Sequence, residues 1–104
     1  MNHFVEDGYK QLPGEFLDDP TYAKILDQIV VSCADAILVR WINNQPEILL
    51  GKRAYPPMKG WWIFGGRRIP GESPEESCVR NIKREIGLDL EPSRFTLLKC
   101  YSYV

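Results

Sequence analysis

The stretch from Gly65 to Leu88, GGRRIPGESPEESCVRNIKREIGL, constrains the fold of this chain more than any other. Two adjacent glycines open a polar loop that runs to Glu72, and the residues after it carry the signals of a helix with both ends specified. Ser73 and Glu76 have the Ser-x-x-Glu spacing of a capping box, in which each side chain satisfies a backbone N–H of the other residue. Pro74 takes the first helical position, where its missing donor costs nothing. Glu75 and Glu76 meet the positive end of the helix dipole, Lys83 and Arg84 lie near the negative end, and Gly87 supplies the stop. The spacing predicts a helix in which Val79, Ile82 and Ile86 form a buried stripe. Asn81, Arg84 and Glu85, at i, i+3 and i+4, share a second face turned towards the glycine pair.

These residues resemble the box of the Nudix hydrolase family: Gly, five residues, Glu, seven residues, Arg-Glu-apolar-x-Glu-Glu-x-Gly-apolar. Gly66, Glu72, Arg80, Ile82, Glu85, Gly87 and Leu88 fall in register without a gap. Asn81 and Arg84 stand where the family usually has metal-binding glutamates. The resemblance implies an α/β (α+β) fold, with a mixed sheet sandwiched between helices. A complete domain of this family usually needs more than the 104 residues here, so the C-terminal part is expected to be missing. The domain would then occupy residues 19–104, preceded by an arm at residues 1–18 in which Gly8, Pro13 and Gly14 accompany scattered aromatics.

Composition narrows the partners. A formal net charge of -1 and a pI near 5.8 give no diffuse basic field of the kind that drives nucleic-acid binding, so phosphate recognition has to be local. No stretch reaches the roughly 18 apolar residues of a membrane span, and the N-terminus has no signal-peptide pattern. Cys33, Cys78 and Cys100 show neither metal-ligand spacing nor a disulfide framework. Cys33 and Cys78 read as core residues of a protein in the reducing cytoplasm. His3, the one histidine, lies too near an irregular terminus to make a good catalytic base.

Along the chain, Asp19-Pro20 reads as an N-cap and first helical residue of a short helix to about Asp27. Ile29 to Ile42 reads as an apolar strand, Asn43 to Pro46 as a turn, and Glu47 to Lys52 as the returning strand. Asp35 interrupts the apolar run and needs a partner if buried; Arg53 is one candidate. Ala54 to Gly60 is a stiffened loop, and Trp61 to Phe64 a short strand. Tyr55, Trp61 and Trp62 are candidate platforms for a nucleobase, although strand alternation should bury at least one of the tryptophans in the core. Phe95 to Val104 reads as a final strand, and the edges left by a missing C-terminal part would favour pairing into a homodimer.

Chemistry follows from the two substitutions. Hydrolysis at a diphosphate calls for a cation to neutralise charge, and Mg²⁺ takes hard oxygen ligands while keeping several waters. A guanidinium about 4 Å from a divalent ion would be repelled by roughly 8 kcal/mol at an effective dielectric of 20. Arg84 therefore swings into solvent or pairs with Glu72 or Glu85, and a multi-metal cluster on this helix is excluded. Within the family the sequence looks most like the GDP-mannose mannosyl hydrolase branch, through LLGKR at Leu49 to Arg53, GGR at Gly65 to Arg67, and Arg80 with Glu85, Gly87 and Leu88.

That likeness implies one Mg²⁺ on Glu85 and the Gly65 carbonyl, with Glu72 nearby. It puts Arg53 and Arg67 on the diphosphate, and Asp35 near the nucleotide or those arginines. The implied activity is Mg²⁺-dependent hydrolysis of a nucleoside diphosphate linked to a sugar. Two alternatives stand beside it: attack at phosphorus of a dinucleotide or nucleoside triphosphate, and a Nudix-fold binding module without catalysis.

Overall fold

The computed structural model describes residues 17–53 and 60–102. The first helix, α1, spans Asp19–Gln28. Its cap is Asp18, one residue earlier than expected: the Asp18 carboxylate accepts the Thr21 N–H at 3.0 Å, which leaves Asp19 and Pro20 inside the first turn. Most of the arm expected at residues 1–18 lies outside the described residues.

The apolar run after α1 forms two strands. β1 covers Cys33–Ala36 and β2 covers Leu38–Ile42, separated at Ile37. β2 turns back into β3, Gln45–Leu49, through Asn43 and Asn44 alone, both with positive φ (49° and 62°). Two left-handed central residues suit the right-handed twist of a hairpin, and asparagine tolerates that conformation. The turn is therefore shorter than expected, and Pro46 already pairs with Trp41. β4, Gly51–Arg53, pairs antiparallel with β5, Gly60–Trp62, and β6, Phe64–Arg67, pairs antiparallel with β1.

The α+β character is as expected, but the described strands form three two-stranded antiparallel ladders instead of one mixed sheet. Residues 95–102 belong to no ladder; Phe95 follows a single 3-10 turn at Pro92–Arg94. An extended segment becomes a strand only when a neighbour takes its hydrogen bonds, and none of the described strands does.

The long helix, α2, spans Pro74–Ile86 and has the ends its sequence specifies. Ser73 Oγ accepts the Glu76 N–H at 3.1 Å, Glu76 Oε1 accepts the Ser73 N–H at 3.3 Å, and Gly87 closes the helix at φ 71°. Its buried residues are Ser77, Cys78, Asn81 and Ile82. Only Ile82 of the expected stripe is fully buried, and Ile86 is exposed. α2 packs on β1 and β6 through Ile82 and Cys78, which meet Ala34, Ala36 and Phe64, while Asn81 lies over Gly66, where no side chain intervenes.

The core is Ala34, Ala36, Phe64, Cys78 and Ile82, flanked by Leu38, Leu90 and Phe95. Gly51 ties the β4–β5 ladder to it, since a Cβ there would stand 3.1 Å from the Phe64 ring. Cys78 is buried as expected, whereas Cys33 is exposed. Strand alternation explains both Cys33 and Asp35: with Ala34 and Ala36 facing α2, their neighbours point the other way. Asp35 is therefore no buried carboxylate awaiting a partner. No helix among the described residues is long and apolar enough to cross a membrane.

Candidate active site

The two glycines are the surface on which the site is built. Gly66 sits directly under α2, where an added Cβ would stand 3.0 Å from Asn81 Oδ1. Asn81, almost fully buried, donates from Nδ2 to the Ser77 carbonyl at 3.0 Å. Of the expected second face of α2, Arg84 and Glu85 are exposed, whereas Asn81 turns towards the glycines with its own hydrogen bond in place. An ionised glutamate there would need a compensating cation to offset its burial.

Gly65 is crowded from the other side. It lies opposite Asp35 in the β1–β6 ladder, and a Cβ would meet the Asp35 side chain, the Ala34 carbonyl oxygen at 2.5 Å and the Asp35 Cα at 2.6 Å. Backbone atoms cannot rotate out of the way. Gly65→Ala is therefore expected to lower stability by about 1–3 kcal/mol, the range for overpacking, measured as a fall in the urea midpoint at unchanged slope.

The loop from Arg67 to Glu72 is clamped onto α2 by one arginine. Arg80 Nε donates to Glu72 Oε2 at 2.6 Å, and Nη2 donates to Glu72 Oε1 at 3.0 Å and to the Arg67 carbonyl at 2.8 Å. The Ile69 N–H also points at Glu72 Oε1, at 3.4 Å. Burial works to raise the Glu72 carboxyl, but hydrogen bonds from Arg80, Ser77 and Ile69 outweigh it and hold the pKa below its ordinary value. Arg68 tightens the same loop by donating from Nη2 to the Glu72 carbonyl at 2.7 Å. Sequence reasoning placed Glu72 near the metal and missed this brace. The two residues are eight apart with a loop and a helix cap between them, so no helical spacing announces the pair.

Glu85 is in a different situation. It lies near the exposed end of α2, where Arg84 Nη2 approaches its Oε1 at 3.7 Å, longer than a hydrogen bond. Arg84 is largely exposed and at the same time within ion-pairing distance of Glu85, so each of the two outcomes the sequence allowed is met in part. Lys83 is engaged with Asp89 at 2.8 Å.

The opposite face of β1–β6 carries another group of expected site residues. Asp35 and Arg67 share it, at register positions opposite Gly65 and Cys33. Partial desolvation raises the Asp35 carboxyl above its ordinary range. The same effect, helped by the Asp35 charge, raises the Cys33 thiol against the opposing influence of Arg67. Burial pushes the Cys78 thiol up to about 11, so it stays protonated at neutral pH. The Arg67 guanidinium stacks over the ring of Tyr22 in α1, 5.1 Å from its centroid. Tyr22 was not legible as a site residue, because α1 is far from β6 in sequence.

Arg53 ends β4 opposite Gly60, and Trp61, largely exposed, lies opposite Lys52 in the same ladder. Tyr55 lies outside the described residues. The structure therefore groups Gly65, Asp35 and Arg67 on one face, and Glu72 and Glu85 on the loop and helix beyond the other.

Fit to a metal follows from the donors. Among the described residues no three His, Cys, Asp or Glu side chains converge as a metal site, and both Glu72 oxygens are bonded to Arg80, so a multi-ion cluster does not fit. A single Mg²⁺ does. Such an ion binds through one or two carboxylates plus substrate phosphate and water, and Glu85 has a partly exposed carboxylate with no short hydrogen bond.

The 8-oxo-dGDP phosphatase NUDT18 of Mus musculus and that of Homo sapiens are each 37% identical to the chain over 57 residues, covering 54% of this chain and 18% of theirs. A Bacillus subtilis (strain 168) protein named "Putative 8-oxo-dGTP diphosphatase" is 48% identical over 46 residues, covering 44% of this chain and 30% of its own length. The chain thus spans less than a third of these curated relatives. No solved structure matches it. The family model for the NUDIX domain matches residues 33–104, which takes in the glycine pair, the braced loop and α2. The chain belongs to the Nudix hydrolase family.

Proposed function

We propose that this domain hydrolyses the phosphate chain of an oxidised guanine nucleotide, an 8-oxo-dGDP or 8-oxo-dGTP, by attack of water at phosphorus. The names of the relatives support that substrate class, and they lend nothing to the nucleotide-sugar reading implied by the LLGKR and GGR runs. The observation that carries the reading is the division of labour between the two acids of the box. Glu72 is spent on holding the glycine loop to α2, while Glu85 is left to act.

In this reading Glu85 holds one divalent cation, which when bound withdraws charge from the phosphate oxygens. Gly65 and Gly66 let Asp35 and Asn81 pack against the strand from its two faces, which fixes β6 between the Arg67 face and α2. Arg67 stands at the end of β6 on the face opposite α2, so in this reading it meets the phosphate chain where that chain passes the strand end, with a guanidinium whose shape matches two oxygens at once. Arg53 is the second candidate clamp, and Asp35 reads the nucleotide from the Arg67 face. Trp61 offers a stacking surface for the base.

Attack at carbon on a nucleotide sugar remains the second reading, because only one helix carboxylate is retained. Turnover in ¹⁸O-labelled water separates them. With 8-oxo-dGDP and 8-oxo-dGTP the label is expected in a released phosphate or pyrophosphate. Faster turnover of GDP-mannose, with label in the sugar, would overturn the first reading in favour of the second. Metal-dependent binding of nucleotide without turnover would identify a binding module instead.

A further inference from the structure

We infer that Tyr22 is a positioning residue for Arg67, holding the guanidinium of a separate element ready for the substrate's phosphates. The inference rests on the proposed function, in which Arg67 meets phosphate, and adds a residue that no motif of the chain includes.

Arg67 has its backbone fixed twice. It pairs with Cys33 in the β1–β6 ladder, and its carbonyl accepts Arg80 Nη2 at 2.8 Å. Its side chain is exposed, and a free arginine of that kind loses much rotamer entropy when a ligand orders it. Among the described residues no carboxylate lies within ion-pairing distance of it. What it has instead is the Tyr22 ring at 5.1 Å, inside the roughly 6 Å reach of a cation–π contact. A cation–π contact takes up no guanidinium N–H as a conventional hydrogen-bond donor. The charge is oriented without being neutralised, which is the arrangement an anion-binding arginine needs.

Tyr22 is itself held in place. Its N–H donates to the Asp18 carbonyl at 3.0 Å, and the Asp18 side chain caps the neighbouring Thr21 N–H at 3.0 Å. α1 buries none of its residues, so a role in core packing does not account for the ring. Strand alternation puts the Tyr22–Arg67 stack on the β1–β6 face that carries Asp35, away from α2.

A double-mutant cycle tests this, with steady-state hydrolysis of 8-oxo-dGDP and thermal unfolding measured for Tyr22→Leu, Tyr22→Phe, Arg67→Ala and Tyr22→Leu/Arg67→Ala. Tyr22→Leu is expected to raise KM about two- to fivefold with kcat within about twofold, Tyr22→Phe to behave as wild type, and the double variant to match Arg67→Ala alone. An unchanged KM in Tyr22→Leu beside a raised KM in Arg67→Ala would overturn the positioning role and leave the phosphate role of Arg67 standing. A further rise in KM when Tyr22→Leu is added to Arg67→Ala would also overturn it. Wild-type KM in Arg67→Ala would remove the phosphate role and the inference together.

Discussion

Glutamine in place of Glu85 is expected to lower kcat for nucleotide hydrolysis on the order of a hundredfold or more, while the unfolding midpoint stays near that of wild type. The substitution keeps the size and hydrogen-bonding reach of the side chain and removes its charge. Several kcal/mol of transition-state stabilisation depend on a cation that only a charged oxygen retains, and each 1.4 kcal/mol or so is tenfold in rate. Stability should hardly move, because the side chain is partly exposed and its Arg84 contact is long, and surface substitutions of this kind usually stay within about 0.5 kcal/mol. Loss of activity with retained fold is the signature that separates Glu85 from the structural acid of the same box. Steady-state kinetics at saturating Mg²⁺, with a thermal melt beside it, reads both.

Arg80→Ala is expected to do the reverse, with its primary effect on stability. Removing one partner of a buried pair typically costs about 3–5 kcal/mol, much of it the penalty of an uncompensated charge. The lower end applies, about 3 kcal/mol, because the Arg80 side chain is one-third exposed (33%) and water can enter beside the Glu72 carboxylate, itself only 6% exposed. The variant also frees the Arg67 carbonyl, so the loop loses two anchors together. A urea titration should show the fall in midpoint, and Arg80→Ala/Glu72→Ala should lose less than the sum of the single changes.

The same pair gives a pH dependence. Because the folded-state carboxyl of Glu72 is lowered from the ordinary value of 4.5, its contribution is complete above that value. It is lost as the pH falls below 4.5 through the folded-state value. Glu72→Gln should therefore flatten the acid limb of the stability profile and add no slope near neutrality.

Local chemistry was legible in the chain. The capping box at Ser73 and Glu76 and the stop at Gly87 depend on neighbours within a turn, and they form as written. Asn81 also approaches Gly66 as expected, while Arg84 and Glu85 stay exposed. Contacts set by a second element were harder to read. The α2 stripe was expected to follow hydrophobicity through Val79, Ile82 and Ile86. The surface below it is made of Ala34, Ala36, Phe64 and Gly66, and the side chains buried against it are Ser77, Cys78, Asn81 and Ile82.

Asp35 looked buried because Ile29 to Ile42 was taken as one apolar strand. The break at Ile37 and the inward turn of the two alanines put it on the outer face instead. Glu72 carried the right letter for a metal ligand. Only the distance to Arg80 shows where its charge goes.

The proposed chemistry rests on the Glu85 carboxylate, held only by a long ion pair with Arg84, taking up one cation. Electron paramagnetic resonance of Mn²⁺ titrated into the protein with 8-oxo-dGDP present counts those ions directly. One bound ion per chain, lost in Glu85→Gln and retained in Glu72→Gln, is the expected result. Two or more ions, or a single ion that survives Glu85→Gln, would contradict it.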